Sequence, residues 1–162
     1  MKTWIKVAAV TAAVAVPAFF AGPALFPPAA GGPTPTAGQL PFFLFLSVTD
    51  ALVLGLGVAF LLFGLPVLRR VSPDSKGRAW AMYLAIGYLM VSWWPHLNMH
   101  TSNGLNLRGL LVIDYLFHLP LEVAGGVLAY GFLSLLLEWR GARPAPRAAA
   151  RPSVKVEALS AD

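Results

Sequence analysis

Three side chains that could bind a metal ion or relay a proton lie on one apolar segment of the chain, at Asp114, His118 and Glu122. They are spaced four residues apart, and four residues of an α-helix rotate by only about 40° beyond one full turn. The spacing therefore predicts a single polar stripe along one helix. Because an ionisable side chain within a membrane-spanning helix is costly and rare, this stripe indicates a functional site that faces other helices.

Two further histidines, His96 and His100, have the same four-residue spacing. On a continuous helix they share a face, which is a common way for two imidazoles to reach one metal ion. Pro95 favours a helix end at Trp94 instead, because the residue before a proline is disfavoured in the helical conformation. The sequence thus leaves two alternatives: a helical pair of ligands, or two interfacial histidines on a loop.

Asp50 is the ionisable residue of a second apolar segment. Counted at about 1.5 Å per residue from the outer ends of their helices, Asp50 and His118 both lie roughly 13 Å deep. If these two helices face each other, their polar side chains converge beneath the other two histidines. The candidate metal ligands are therefore His96, His100, Asp114, His118, Glu122 and Asp50.

These six residues offer nitrogen and oxygen donors, which suit Cu, Zn or Fe better than Ca or Mg. Our leading interpretation is an outward-facing intramembrane site that binds such a metal, for metal handling or as a redox subunit. Two alternatives need no metal: polar helix contacts in an accessory or structural subunit of a membrane complex, and a proton or ion relay along the Asp114 stripe. The chain contains no cysteine, which excludes thiolate ligands. No motif decides whether it is an enzyme.

The composition predicts a membrane protein. Hydrophobic residues make up 57% of the 162 residues and charged residues only 12%, about half the charged share of a typical soluble domain. We therefore expect an all-α integral membrane protein, a small bundle of four transmembrane helices. Its predicted units are an N-terminal hydrophobic helix (1–21), a Pro/Gly-rich linker (22–40), a helical bundle (41–140) with helices at about 41–68, 79–100 and 109–138, and a basic disordered tail (141–162).

The N-terminal segment has two interpretations. Lys2 and Lys6 precede an Ala/Val-rich run that is typical of a secretory signal peptide, and its cleavage would leave three helices. Pro17 interrupts the run, and the small residues that follow make a poor cleavage site. A retained first helix is therefore favoured.

The basic residues predict the orientation. If the helices alternate in direction, eleven of the twelve basic residues fall on one side of the membrane and only Arg108 falls on the other. The positive-inside rule makes the first side cytoplasmic, as in the inner membrane of a bacterium. Both termini are then cytoplasmic if the first helix is retained, and residues 22–40 and about 96–108 are extracytoplasmic. We expect the lipid bilayer, other membrane subunits or a second copy as partners, rather than nucleic acid.

Other residues are expected to serve the membrane boundary or packing. Trp93 and Trp94 fit the aromatic belt at the outer membrane surface. Gly125 and Gly126 predict close approach of another helix, because a residue without a side chain lets two backbones come together.

Overall fold

The computed structural model describes residues 2–30, 35–104 and 106–141, and this part of the chain is helical without any strand. The predicted tail beyond residue 141 and residues 31–34 of the predicted linker lie outside the described residues. The helices are α1 (Thr3–Leu25), α2 (Leu40–Phe63), α3 (Leu65–Val71), α4 (Lys76–Asn103) and α5 (Leu107–Gly141).

Three of these helices, α1, α2 and α5, are long and apolar enough to cross a membrane. The fourth long helix, α4, has 28 residues, but its apolar stretch is interrupted by tyrosine and tryptophan and is followed by polar residues. The structure therefore supports three of the four predicted membrane-spanning helices. The crossing of α4 stays a prediction.

The boundaries differ from the predicted ones at prolines and glycines. The predicted helix 41–68 is divided at Gly64, whose N–H bonds to the carbonyl of Phe60, and the seven-residue α3 follows with Pro66 in its first turn. Proline lacks the N–H that would continue the ladder of α2. In contrast, α1 continues through Pro17 as far as Leu25, so the linker begins four residues later than predicted.

Glycines allow close contact between neighbouring helices. A Cβ on Gly55 of α2 would collide with the backbone carbonyl of Thr11 on α1, and a Cβ on Gly57 would lie 2.8 Å from the Met90 Cβ of α4. Small residues thus bring α1, α2 and α4 into close contact. Gly125 and Gly126 of α5 behave differently, because a Cβ at either position would meet nothing within 4 Å. The close approach predicted for this pair is absent from the described part of the chain.

Contacts between helices show which helix ends lie together. Phe26, just after α1, packs against Trp94 near the end of α4, whereas Arg78 at the start of α4 pairs with Glu138 near the end of α5. The Tyr83 hydroxyl of α4 donates to a carbonyl in the last turns of α2. The four long helices therefore alternate in direction. Of the eight basic residues that the structure describes, seven lie at one end of the bundle, and Arg108 lies at the other.

Candidate metal centre

The three histidines of the chain meet at the Arg108 end of the bundle, where α4 packs on the first half of α5. The His96 Nε2 atom lies 2.9 Å from the Nε2 of His118 and 3.1 Å from the Nε2 of His100. The third side of the triangle, from His100 to His118, measures 3.4 Å. Three nitrogens of the same type therefore point at one small volume.

Two of the three imidazoles come from α4 because this helix does not end at Pro95. It continues to Asn103, so His96 and His100 lie one turn apart with ring centroids 4.8 Å from each other. The alternative of two histidines on a loop is thereby excluded. Proline can occupy a helix interior when its surroundings compensate for the lost hydrogen bond.

The third imidazole is placed by a π-helical turn. Residues Asp114–His118 form this turn within α5, and the Leu119 N–H bonds to the Asp114 carbonyl five residues earlier. Pro120 comes after Leu119, and its ring would clash with the Leu116 carbonyl in a regular helix. That carbonyl instead accepts a hydrogen bond of 2.5 Å from the Tyr88 hydroxyl of α4. Wide turns of this kind are frequent at functional sites.

Asp114 is attached to the histidine cluster through His118. Its Oδ1 atom lies 2.5 Å from the Nδ1 of that ring. A carboxylate accepts, so in the neutral ring Nδ1 carries the proton, and the Nε2 of His118 has a free lone pair directed at the other two rings. Carboxylate–histidine pairs of this type orient imidazoles that bind metals.

Aromatic side chains hold His96 from two sides. The ring of Phe117 stacks on it with centroids 5.3 Å apart, and the ring of Trp93 meets it edge-on at 6.3 Å. Trp93 in turn donates a hydrogen bond of 2.9 Å to the buried carboxylate of Asp50. Asp50 therefore supports a wall of the cluster, and its bonded oxygen is directed at the indole rather than at an imidazole.

The sixth candidate, Glu122, does not join the cluster. Its side chain is exposed, and within the described residues it makes no hydrogen bond or ion pair. Glu122 follows His118 by four residues in the regular helix after the π-helical turn, and it is not among the donor atoms that lie near one another. Of the six predicted ligands, the structure brings together the three histidines and holds Asp114 beside them. Ligation by any of the six stays a prediction.

Tyr88, Trp93 and Phe117 were not recognised as parts of the site from the sequence. One signal was available for Tyr88, because Pro120 leaves the Leu116 carbonyl without its normal partner and some other donor has to replace it. The contacts of Trp93 and Phe117 depend on the pairing of α4 with α5. A single sequence carries no signal for this register.

The nitrogen triangle has the dimensions of a metal site. A circle through the three Nε2 atoms has a radius of about 1.8 Å, which is shorter than the Zn–N bond of about 2.0–2.1 Å. A single ion about 1 Å above the plane therefore reaches all three nitrogens at bonding distance. Hydrogen bonds alone satisfy the cluster poorly, since a neutral imidazole has one N–H and points it at one acceptor.

No protein-family model, curated protein or solved structure matches this chain. The function has to be inferred from the side chains themselves. Nitrogen donors, one carboxylate that orients a ring and the lack of cysteine define the chemistry available at this centre.

Proposed function

We propose that this protein is an integral membrane protein that binds one transition-metal ion, Zn or Cu, through His96, His100 and His118. The observation that carries the proposal is the convergence of three Nε2 atoms within 3.4 Å of one another. Asp114 would fix the tautomer of His118 and increase its basicity as a ligand. Fe fits the same nitrogen donors less closely, because non-haem Fe sites usually include a carboxylate ligand.

The surface of the bundle supports a membrane location. Large apolar side chains on the three candidate spans are exposed, and many belong to phenylalanine and leucine, including Phe20, Phe42, Phe45, Leu133 and Leu137. Water-soluble monomers rarely expose continuous apolar surface on this scale. The close packing of α1 on α2 through Gly55 favours a retained first helix. We propose that α4 crosses with the other three helices.

The depth of the centre follows from the length of α5. His118 precedes Trp139 by 21 residues, or about 31 Å of helix, close to the hydrocarbon thickness of about 30 Å. With Trp139 at the inner boundary, the histidines lie at the outer boundary rather than the roughly 13 Å depth estimated from the sequence. They would then be accessible from the extracytoplasmic side, which suits capture, storage or delivery of metal there.

Metal analysis tests the proposal. The full chain is purified in detergent, and bound Zn and Cu are measured together with their affinities by competition with a chromophoric chelator. We expect one ion per chain in the wild type and at least a 100-fold weaker affinity, in order of magnitude, in His118→Ala, because a ligand matters at least as much as the outer residues that orient it.

Thr101→Val is a matched control. Its hydroxyl is exposed on α4 beside His100 and bonds only to its own helix, at the Leu97 carbonyl. This variant should keep the wild-type affinity. A wild-type protein that binds neither metal stoichiometrically, or a His118→Ala variant that binds as well as the wild type, would contradict the proposal.

A second candidate function, a subunit of a membrane complex, is favoured by the exposed far side of α5. Glu122, Gly125, Gly126 and Ala129 follow each other at helical spacing and are all exposed, and the two glycines have open space above them. A carboxyl group on a lipid-facing helix requires a hydrogen-bond partner. Another transmembrane helix with a basic or hydroxyl side chain could supply it.

Copurification distinguishes this candidate. If α5 binds another subunit, Gly126→Leu should release that subunit from the mildly solubilised complex, while metal binding by the histidines persists. A wild-type protein that elutes as a monomer without any partner at native expression levels would contradict it. A proton relay along α5 has less support, because Glu122 makes no described contact with the Asp114–His118 pair.

A further inference from the structure

The number of protein ligands at the centre is three in the part of the chain that the structure describes. The group of donor atoms that lie near one another contains His96, His100 and His118 and no carboxylate. Zinc sites with a structural role are normally closed by four protein ligands, whereas sites that react or exchange ligands have three and keep one position for water or a substrate. The donor count therefore resembles the second class.

The two carboxylates that bond to side chains of the centre are held in other directions. Asp114 bonds to Nδ1 of His118, which lies across the ring from the Nε2 that would face the metal. Asp50 is bound to the indole of Trp93. In this arrangement both carboxylates bond to side chains around the centre, and neither of them supplies a fourth ligand.

One side of the cluster is open. Phe117 is only 9% exposed and covers His96 on the interior side. The side chains of His118 and Asp114 are 42% and 58% exposed, respectively. A small molecule could therefore reach an ion at this centre from the side of α5 that carries Asp114.

The charge at the centre selects the class of ligand. Imidazoles bind metals in their neutral form, so three of them leave a divalent ion with its full charge. Asp114 contributes one negative charge from behind a ring. The ion, the three imidazoles and Asp114 would then carry a net positive charge, while the Asp50 carboxylate is bonded to the Trp93 indole. This charge favours an anion at the free position.

We infer that the bound metal ion keeps an exchangeable fourth position that takes a small oxygen anion, such as a carboxylate or a phosphate, in place of water. This inference rests on the proposed metal binding and adds the class of ligand. The step is an exchange: the metal–water bond breaks, a metal–oxygen bond to the anion forms, and no electron is transferred. Because the centre would lie at the outer membrane boundary, the phosphate group could be dissolved or could belong to a lipid headgroup.

Cobalt(II) can test the inference, because its visible absorption depends on the number and type of its ligands. The full chain in phosphate-free detergent is loaded with Co²⁺, and azide, acetate and inorganic phosphate are titrated separately. We expect the bands of the bound ion to shift in a saturable manner with each anion while Co²⁺ stays bound. Asp74→Asn, which removes an exposed carboxylate in the loop before α4, should give the wild-type response.

A second pair of samples separates the two sources of phosphate. The protein is placed in lipid discs of phosphatidylcholine alone or with phosphatidic acid. A shifted spectrum with phosphatidic acid before any addition assigns the position to a headgroup, and a shift only on addition of inorganic phosphate assigns it to a dissolved anion. Either result supports an exchangeable position.

The possible failures are distinct. If Co²⁺ does not bind, or binds equally well to His118→Ala, the proposed metal centre itself is wrong. If Co²⁺ binds to the histidines but its spectrum stays unchanged in all anions and both lipids, the fourth position is closed and this inference is overturned. Loss of Co²⁺ to the anions without a bound intermediate spectrum would overturn it as well.

Discussion

Polar contacts join α4 to α5 at both ends of the bundle, and the contacts at the two ends differ in how completely their groups are paired. At the end that we propose to be cytoplasmic, the inner end, the Arg78 guanidinium donates hydrogen bonds of 2.6 and 2.9 Å to the Glu138 carboxylate and one of 2.7 Å to the Ser72 hydroxyl. At the outer end, His96, His100 and His118 direct three nitrogens of the same kind at one another.

The difference separates a structural contact from a candidate site. The inner contact matches donors with acceptors and a cation with an anion in bidentate geometry, so it is complete as it stands. The outer contact brings together imidazole nitrogens whose lone pairs cannot all be satisfied by hydrogen bonds among the three rings. A metal ion, which accepts electron pairs, would satisfy all three. Polar groups cluster at both ends. The ends differ in whether donors are matched with acceptors and a cation with an anion.

Removing the charge of Asp114 should have the largest effect among changes that keep all three imidazoles. In Asp114→Asn, the amide oxygen attracts the Nδ1 proton of His118 less strongly than a carboxylate does. The NH₂ group can also donate to Nδ1, which favours the tautomer with its proton on Nε2, where the metal would bind. We expect metal affinity to fall by about 10- to 100-fold, as measured by chelator competition. Asp74→Asn should bind like the wild type, and equal affinities for all three proteins would remove Asp114 from the site.

Lowering the pH should weaken the outer contact and leave the inner one in place. Protons compete with a metal for imidazole, whose ordinary pKa is about 6.5, whereas an ordinary glutamate titrates near 4.3. We expect the metal affinity to be at least about tenfold lower at pH 5.5 than at pH 7.5. A chelator titration at several pH values measures this, and an affinity that is independent of pH would argue against histidine ligands.

Breaking the inner pair should affect stability without affecting the metal. Arg78→Gln removes the bidentate contact with Glu138, so the thermal unfolding midpoint of the metal-free protein should decrease. The increase of the midpoint on adding metal should match that of the wild type, because binding raises stability according to affinity and concentration. A large change in metal affinity would show that the two ends of α5 are coupled.

The smallest effect is expected for Asp50, which the sequence suggested as a ligand. In Asp50→Asn the amide oxygen can still accept the Trp93 hydrogen bond, so the wall beside His96 keeps its position. We expect the metal affinity to change by less than about threefold, well below the effect of a residue that contacts a ligand. A loss of 100-fold or more would instead place Asp50 on the metal.

Much of the architecture could be predicted from the sequence, because apolar segment lengths and basic residues report directly on helices and on their alternation. Helix bounds were less accessible. Gly64 and Pro66 divide a segment that is apolar from Ala51 to Leu68, whereas Pro17 and Pro95 leave their helices intact. Whether a proline ends a helix depends on neighbouring groups that can compensate for the missing hydrogen bond, and these become known only with the fold.

The candidate site was predicted in composition but not in geometry. The four-residue spacing correctly indicated that His96 and His100 share a face, and that Asp114 and His118 are neighbours. It also placed Glu122 on the same stripe, and the structure leaves this exposed side chain outside the group of three histidines. The meeting of α4 with α5 at the histidines depends on the register of two packed helices.

The most direct measurement of the central claim is an X-ray absorption spectrum of the Zn- or Cu-loaded protein at one ion per chain. Three imidazoles on a single ion should give nitrogen neighbours at about 2.0–2.1 Å, together with the outer-shell scattering of imidazole rings and one exchangeable oxygen ligand. The number of imidazoles should decrease from three to two in His100→Ala. A wild-type spectrum with one imidazole or none would contradict the assignment of these three histidines as a metal centre.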